Sequence, residues 1–219
     1  MILVFLGPPG AGKGTQAKIL EDRFGYRQIS TGDMLRKHRA DKTALGLEAQ
    51  SYMDAGKLVP DDLVIRMVEA ELANADNIIV DGFPRTIPQA DAFDAVLARK
   101  GLDAVAVIFD VDYNVLAERI TGRWSNPRTG RVYHAKFNPP KQAGIDDEDG
   151  GPLVQRPDDA ADVVTKRLVE YDEKTTPLIA HYEKRGDFVH VNGLGEIDDV
   201  TRAIIAKLPD VGKPIVSTS

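Results

Sequence analysis

Ile2-Leu3-Val4-Phe5-Leu6-Gly7-Pro8-Pro9-Gly10-Ala11-Gly12-Lys13-Gly14-Thr15 decides the fold. An apolar run enters a glycine-rich turn, and a helical pattern follows. Four residues separate Gly7 from Gly12, and Lys13 comes directly after, which is the spacing of a phosphate loop. Glycines let backbone N–H groups converge on phosphate oxygens, and the helix N-terminus adds a favourable dipole. Lys13 supplies a mobile point charge for the outer phosphates. Gly14 stands where Ser or Thr usually holds magnesium; the hydroxyl comes one residue later, at Thr15.

The rest of the chain alternates in the same manner. Apolar runs at Ile78–Val80, Val105–Phe109 and Phe188–Val191, with a shorter one at Arg27–Ser30, read as strands. Between them, Ala17, Leu20 and Phe24 share a helix face that Gly25 ends. Asp61 is expected to cap a helix carrying Leu63, Met67 and Leu72. Val115, Leu116 and Ile120 mark another helix, Val163–Tyr182 a longer one bent near Pro177, and Asp198–Leu208 the last. Continuous apolar strands between helices imply an α/β fold, a parallel sheet covered on both faces with ligands at the strands' carboxyl ends. Residues 31–59 read as short helices and turns forming a small lobe. Residues 122–159, rich in turn formers and including Asp146-Asp147-Glu148-Asp149, read as a β-rich insertion acting as a lid. The tail Val211–Ser219 is expected to fray.

Composition narrows the function. The 219 residues are 42% hydrophobic and 28% charged, with a formal net charge of -6. That balance argues against nucleic acid as the main partner, so an anionic ligand must meet locally clustered Arg and Lys. With no cysteine, disulfides, a thiol nucleophile and a Cys-ligated zinc site are excluded. The N-terminus lacks the basic region of a signal peptide and no run is long enough to span a bilayer, so a cytoplasmic enzyme is expected.

Three clusters carry the chemistry. Asp81, at a strand's carboxyl end, suits magnesium directly or through water, or caps the turn before Gly82. Gly82-Phe83-Pro84-Arg85-Thr86 follows, with Gln89 four residues after Arg85. Arg85 offers a planar fork to a phosphate, and Gln89 offers a donor and an acceptor to an adenine edge. In Ser30-Thr31-Gly32-Asp33-Met34-Leu35-Arg36, Thr31 could equally cap the next helix. The turn Gly56-Lys57-Leu58-Val59-Pro60 can present backbone groups to a base. The third cluster is basic. Arg119 and Arg123 fall on one face of an expected helix, Arg156 closes the insertion, and Arg167 follows. These arginines either converge on a polyphosphate or pair with the nearby acids Glu118, Asp158, Asp159 and Glu170.

Together these motifs, with Gly130-Arg131-Val132-Tyr133-His134 and Lys166-Arg167-Leu168, resemble adenylate kinase in its long-lid bacterial form, over about residues 1–210. The resemblance implies a P-loop NTPase fold with a five-stranded parallel sheet. The core would be 1–29, 60–121 and 160–219, the AMP-binding lobe 30–59 and the lid 122–159. It implies the reversible reaction of Mg-ATP with AMP to give two ADP, with ATP, AMP and ADP as small-molecule partners and a monomeric chain. Gly10, Ala11, Gly12, Lys13, Gly14 and Thr15 would wrap ATP phosphates, with Arg119, Arg123, Val132, Tyr133 and the Gly195 backbone on the ATP side. Thr31, Arg36, Lys57, Leu58, Val59, Gly82, Phe83, Pro84, Arg85 and Gln89 would hold AMP. Arg156 and Arg167 would reach both nucleotides' phosphates, and Asp81 would order magnesium-bound water. Lys13, Arg85, Arg123, Arg156 and Arg167 would form the catalytic set.

Departures from the family pattern are visible. Trp124 replaces a second hinge arginine, and Gly195 stands where relatives often have Lys. Where many relatives place four zinc-binding cysteines, this chain has Asn126, Thr129, Asp146 and Asp149. These oxygen-rich groups make a poor zinc site, so a hydrogen-bonded lid without zinc is expected. The rival readings are a kinase for UMP, CMP or another monophosphate, and a nucleotide switch. A GTPase switch would need a guanine-reading Asn-Lys-x-Asp motif, which is absent.

Overall fold

The computed structural model describes residues 1–72 and 77–208; the tail expected to fray lies outside them. Five strands form one parallel sheet: β1 (Ile2–Leu6), β2 (Arg27–Ser30), β3 (Ile78–Asp81), β4 (Ala104–Asp110) and β7 (Phe188–Asn192). Their order is β2-β3-β1-β4-β7. From β1 the chain moves first toward one edge and later toward the other, so the crevice beyond its carboxyl end is where a ligand is expected.

The continuous apolar strands are explained by two cores. Ile2, Val4 and Leu6 face one side with Val80, Ile108 and Ile29, under α4 (Asp61–Glu71), α5 (Ile87–Lys100) and α8 (Pro177–Arg185). Leu3 and Phe5 face the other, with Val107 and Phe109, under α1 (Lys13–Phe24) and α9 (Ile197–Lys207). Ala17 and Leu20 of α1 are fully buried there, and Gly25 ends the helix in the left-handed conformation.

Residues 31–59 hold α2 (Thr31–Ala40) and α3 (Ala44–Asp54), packed on each other. The insertion begins after α6 (Leu116–Thr121), which follows a short 3-10 turn at Tyr113–Val115. Its strands β5 (Arg123–Ser125) and β6 (Val132–His134) pair antiparallel and apart from the main sheet. Asp146 is its polar hub. Its carboxylate accepts from Asn126 Nδ2 at 2.7 Å, Thr129 Oγ1 at 3.2 Å and the Tyr133 hydroxyl at 3.0 Å. Asn126 also donates to Asp149 at 2.9 Å. Burial works against the Asp146 charge, but these donors and the Glu148 N–H win, holding its carboxyl below the usual range.

Three sequence expectations are corrected, and one open alternative, at Thr31, is decided. The single helix over Val163–Tyr182 is two, α7 (Ala161–Lys174) and α8. Pro177, with no N–H to donate, starts the second instead of bending the first. Arg119 and Arg123 do not share a helix, because α6 stops at Thr121 and Arg123 opens β5. The His134 ring occupies the space beside Gly122, where an added Cβ would lie 2.4 Å from Nε2. Asp61 is not a cap; Pro60 holds that position, and Asp61 turns its carboxylate to Thr86 and Gln89. Thr31 does not cap α2 either. Ser30 accepts from the Asp33 N–H at 3.3 Å, which frees Thr31 Oγ1 to donate to the Gly82 carbonyl at 2.9 Å.

The contact between α2 and α3 depends on Gly46, where a Cβ would lie 2.1 Å from the His38 carbonyl oxygen. Gly46→Ala should force the pair apart at a cost of about 1–3 kcal/mol. Hydrogen exchange should accelerate at amides of α2 and α3 while those of β1 and β4 stay slow.

Candidate nucleotide-binding site

A cavity of about 500 Å³ opens at the carboxyl ends of the strands, between α2, α4 and the insertion. Its floor is the loop from Gly7 to Thr15. Gly12 ends the loop at φ 90, a left-handed value that glycine adopts without strain. Lys13 folds back, and its Nζ donates to the carbonyls of Gly7 at 2.8 Å and Pro8 at 3.0 Å. These bonds tie the lysine to the start of its own loop.

Arg85, Arg123, Arg156, Arg167 and Arg36 converge with Lys13 on this cavity. Burial, with Arg85, Arg167 and Arg123 adding to it against the pull of Asp81, pushes Lys13 down to about 8. Burial likewise brings Arg156 to about 10, helped by Arg36 and Arg123, and Arg167 to about 10 against the pull of Asp158. Burial lowers Arg85 too. Arg123 is the exception: burial opposes its charge, but the hydrogen-bonded carboxylate of Asp159 outweighs it.

The pairing with acids is seen, within a cluster that shares one cavity. The arginines converge, and aspartates keep them apart from one another. Arg123 Nε donates to Asp159 at 2.8 Å, and Arg167 reaches Asp158 at 3.0 Å and Asp159 at 3.2 Å. Arg36 Nη2 donates to Asp33 at 2.6 Å, and Arg156 lies 3.6 Å from the same carboxylate. Glu118 and Glu170 are not used this way; they pair with Lys136 and Lys174.

At the loop's side of the cavity, the Arg119 guanidinium lies 5.4 Å from the Phe137 ring centre and donates to the Gly193 carbonyl at 2.9 Å. Val132, Gly195 and Tyr133 line this end, although the Tyr133 hydroxyl is committed to Asp146. Trp124 sits opposite Tyr133 in the β5–β6 pair. At the other end lie Thr31, Leu58, Val59, Lys57, Gly82, Pro84 and Gln89, whereas Phe83 is turned into the core against Phe93. Arg85 is held from three sides. Its Nε donates to Gly82 O at 2.7 Å, its N–H to Gln89 Oε1 at 2.8 Å, and its carbonyl accepts from Thr175 Oγ1 at 2.9 Å.

Asp81 carries a carboxylate beside the first turn of α1: an added Cβ at Gly14 would lie 3.7 Å from its Oδ2. Gln28 donates to that oxygen at 3.1 Å. Carboxylate and hydroxyl oxygens from Asp81 and Thr15 suit a hard, largely hydrated cation such as magnesium. Among the described residues, no group of three or more His, Asp or Glu side chains is arranged to hold a metal.

Several site residues were given no role of their own by the sequence, although Asp33 and His134 lie inside quoted motifs. Phe137, His134, Gln28, Asp33 and Thr175 come to the cavity or its supports only through folding. Asp158 and Asp159 were visible only as neighbours of Arg156 in sequence.

A phosphate loop, buried cations and the recess at Leu58, Val59 and Gln89, all lining one cavity, define a P-loop nucleotide phosphotransferase. Residues 5–187 match the family model described as adenylate kinase. An adenylate kinase of Citrifermentans bemidjiense is 48% identical over 95% of this chain and 99% of its own length. One from a Geobacter species matches with the same identity and coverage. The chain belongs to the adenylate kinase family, and it is an enzyme of nucleotide phosphoryl transfer.

The lowered Lys13 gives a proton-linked signature. Between about 8 and its ordinary value of 10.5, the unfolded chain binds more protons at this lysine than the folded one, so its contribution to stability rises with pH. A bound polyphosphate reverses the shift. At about pH 8.5, triphosphate binding should take up protons, read by calorimetry in buffers of different ionisation heat, and Lys13→Met should abolish most of that uptake.

Proposed function

We propose that the enzyme transfers the terminal phosphoryl group of Mg-ATP to AMP, reversibly giving two ADP, and so balances the adenine nucleotide pool. The observation that carries this is the set Lys13, Arg123, Arg167, Arg156, Arg85 and Arg36, which lines one cavity together with the phosphate loop and with Leu58, Val59 and Gln89. Two nucleotides laid tail to tail would put their phosphates among these cations.

ATP phosphates lie in the loop Gly10-Ala11-Gly12-Lys13-Gly14-Thr15, with its base between Arg119 and the Gly195 side. AMP lies with its phosphate toward Arg36 and Arg85 and its base near Leu58, Val59 and Gln89. Phosphoryl transfer asks for in-line placement and for compensation of charge spread over the phosphate oxygens. Lys13 and the arginines supply that field from largely buried positions. No side chain takes a proton from the acceptor, because the AMP phosphate is already ionised. Magnesium, carried with ATP and held through water by Asp81, would neutralise oxygens on the donor phosphates. The aspartates that hold the arginines would yield them to phosphate. Zinc has no part in this reading, since Asn126, Thr129, Asp146 and Asp149 bind one another and offer neither thiolate nor imidazole.

The domain roles follow. Residues 30–59 form the AMP-binding lobe and 122–159 the lid, on a core of 1–29, 60–121 and 160–219. The lid's Arg131 lies 3.1 Å from Asp22 of α1, and Arg156 reaches Asp33 of the lobe, contacts that support a closing motion. Closure over both substrates keeps water from competing as acceptor. No described helix is long and apolar enough to cross a membrane. We place the reaction in the cytoplasm, performed by a monomer on small-molecule nucleotides.

Phosphorus NMR of enzyme, Mg-ATP and AMP should show ADP appearing with little inorganic phosphate; free phosphate formed without AMP would overturn the proposal. Arg123→Ala should lower kcat by about a hundredfold or more while thermal melting still shows a folded chain.

A further inference from the structure

We propose that Asp61 is a specificity-determining positioning residue, which locks the carboxamide of Gln89 in the orientation that accepts adenine and rejects a 6-oxopurine. The inference rests on the reading of this recess as the AMP site and adds to it a residue that lies outside the cavity.

Gln89 is 2% exposed, at the first turn of α5, where a carboxamide turned end for end would occupy the same space. Its orientation is therefore set by its partners. Two of them are unambiguous. The Arg85 backbone N–H can only donate, and it meets Oε1 at 2.8 Å. The Asp61 carboxylate, when ionised, can only accept, and its Oδ1 meets Nε2 at 2.7 Å. Asp61 is itself fixed, because its Oδ2 accepts from Thr86 Oγ1 at 2.8 Å. Thr86 Oγ1 in turn accepts the Gln89 N–H at 3.2 Å and caps α5. The ring of bonds closes on Gln89 from both sides.

A carboxamide has two N–H donors and two acceptor lone pairs. One of each is spent on Asp61 and Arg85, which leaves one N–H and one lone pair, and Gln89 lines the recess with Leu58 and Val59. Adenine offers an acceptor at N1 and a donor at its 6-amino group, the complement of that remaining pair. Hypoxanthine has the reverse, a donor at N1–H and an acceptor at O6. To read it, Gln89 must flip, which would set Oε1 against the Asp61 carboxylate and Nε2 against the Arg85 N–H. Both contacts would be repulsive in a buried place. Asp61 thus transmits base choice through Gln89 without touching substrate.

The test compares kcat/KM for AMP and for inosine 5′-monophosphate in wild type, Asp61→Asn and Asp61→Ser, with Asp62→Asn as a neighbouring surface control. Asparagine can accept or donate, and serine is small and uncharged, so each removes the Asp61 contribution to the barrier against the flip and leaves only that of the Arg85 N–H. The ratio of inosine to adenosine monophosphate activity should rise about tenfold in the Asp61 variants and stay fixed in the control. Melting curves identify which variants are folded, and one folded Asp61 variant suffices. A purely structural role would lower both activities and leave the ratio alone. An unchanged ratio in a folded variant that still uses AMP overturns the lock while sparing the proposed reaction. A wild-type enzyme that phosphorylates no AMP overturns that reaction and the lock with it.

Discussion

The structure depends on keeping buried like charges together. Arg36, Arg85, Arg123, Arg156, Arg167 and Lys13 share one cavity, and burial, joined by their mutual repulsion, weakens the hold of several on their protons. Left unpaired in such a place, each cation would be strongly destabilising. The aspartates answer this. Burial works against the charge of Asp33 and Asp158, yet the surrounding guanidinium groups hold both carboxyls below their usual range. Asp159, nearly inaccessible, bridges Arg123 to Arg167. The acids therefore act as resident anions, and an arriving polyphosphate meets a field already built and already partly neutralised.

That arrangement explains why the site draws on so many distant segments. Asp33 comes from α2, Arg123 from β5, Asp158 and Asp159 from a 3-10 turn before α7, and Arg85 from the loop after β3. No local stretch could collect this much positive charge without repulsion in the unfolded chain. The sheet solves the problem by bringing the carboxyl ends of β1, β2 and β3 side by side, with Phe5 and Ser30 each in register with Asp81.

Neutral bonds fix the geometry that charges alone would leave loose. Arg85 is gripped through its own backbone by Gln89 of α5 and Thr175 of the break between α7 and α8, widely separated in sequence. The break between α7 and α8 is what places Thr175 there: the Thr175 and Thr176 N–H groups both donate to the Tyr171 carbonyl, and the side chain is free to reach Arg85. The insertion repeats the theme with a polar hub at Asp146, a carboxylate bound by amide, hydroxyl and phenol.

By itself the sequence determined the alternation of strands and helices, the phosphate loop and the identity of most cavity-lining arginines. Those features depend on near neighbours: apolar runs set strands buried on both faces, and glycine spacing sets a loop that cups an anion. Helix ends were less legible. The stop after Thr121 depends on His134 packing beside Gly122, and the split at Pro177 on where Thr175 must reach. The cap was misassigned at Asp61 and left open at Thr31, because a short polar side chain at a helix start has several partners within reach, and only packing selects one. Tertiary structure alone decided which acid faces which arginine, that Phe137 lies under Arg119, and that Asp61 meets Gln89. Those contacts join residues far apart in the chain, and no local pattern encodes a distance that only the closed fold creates.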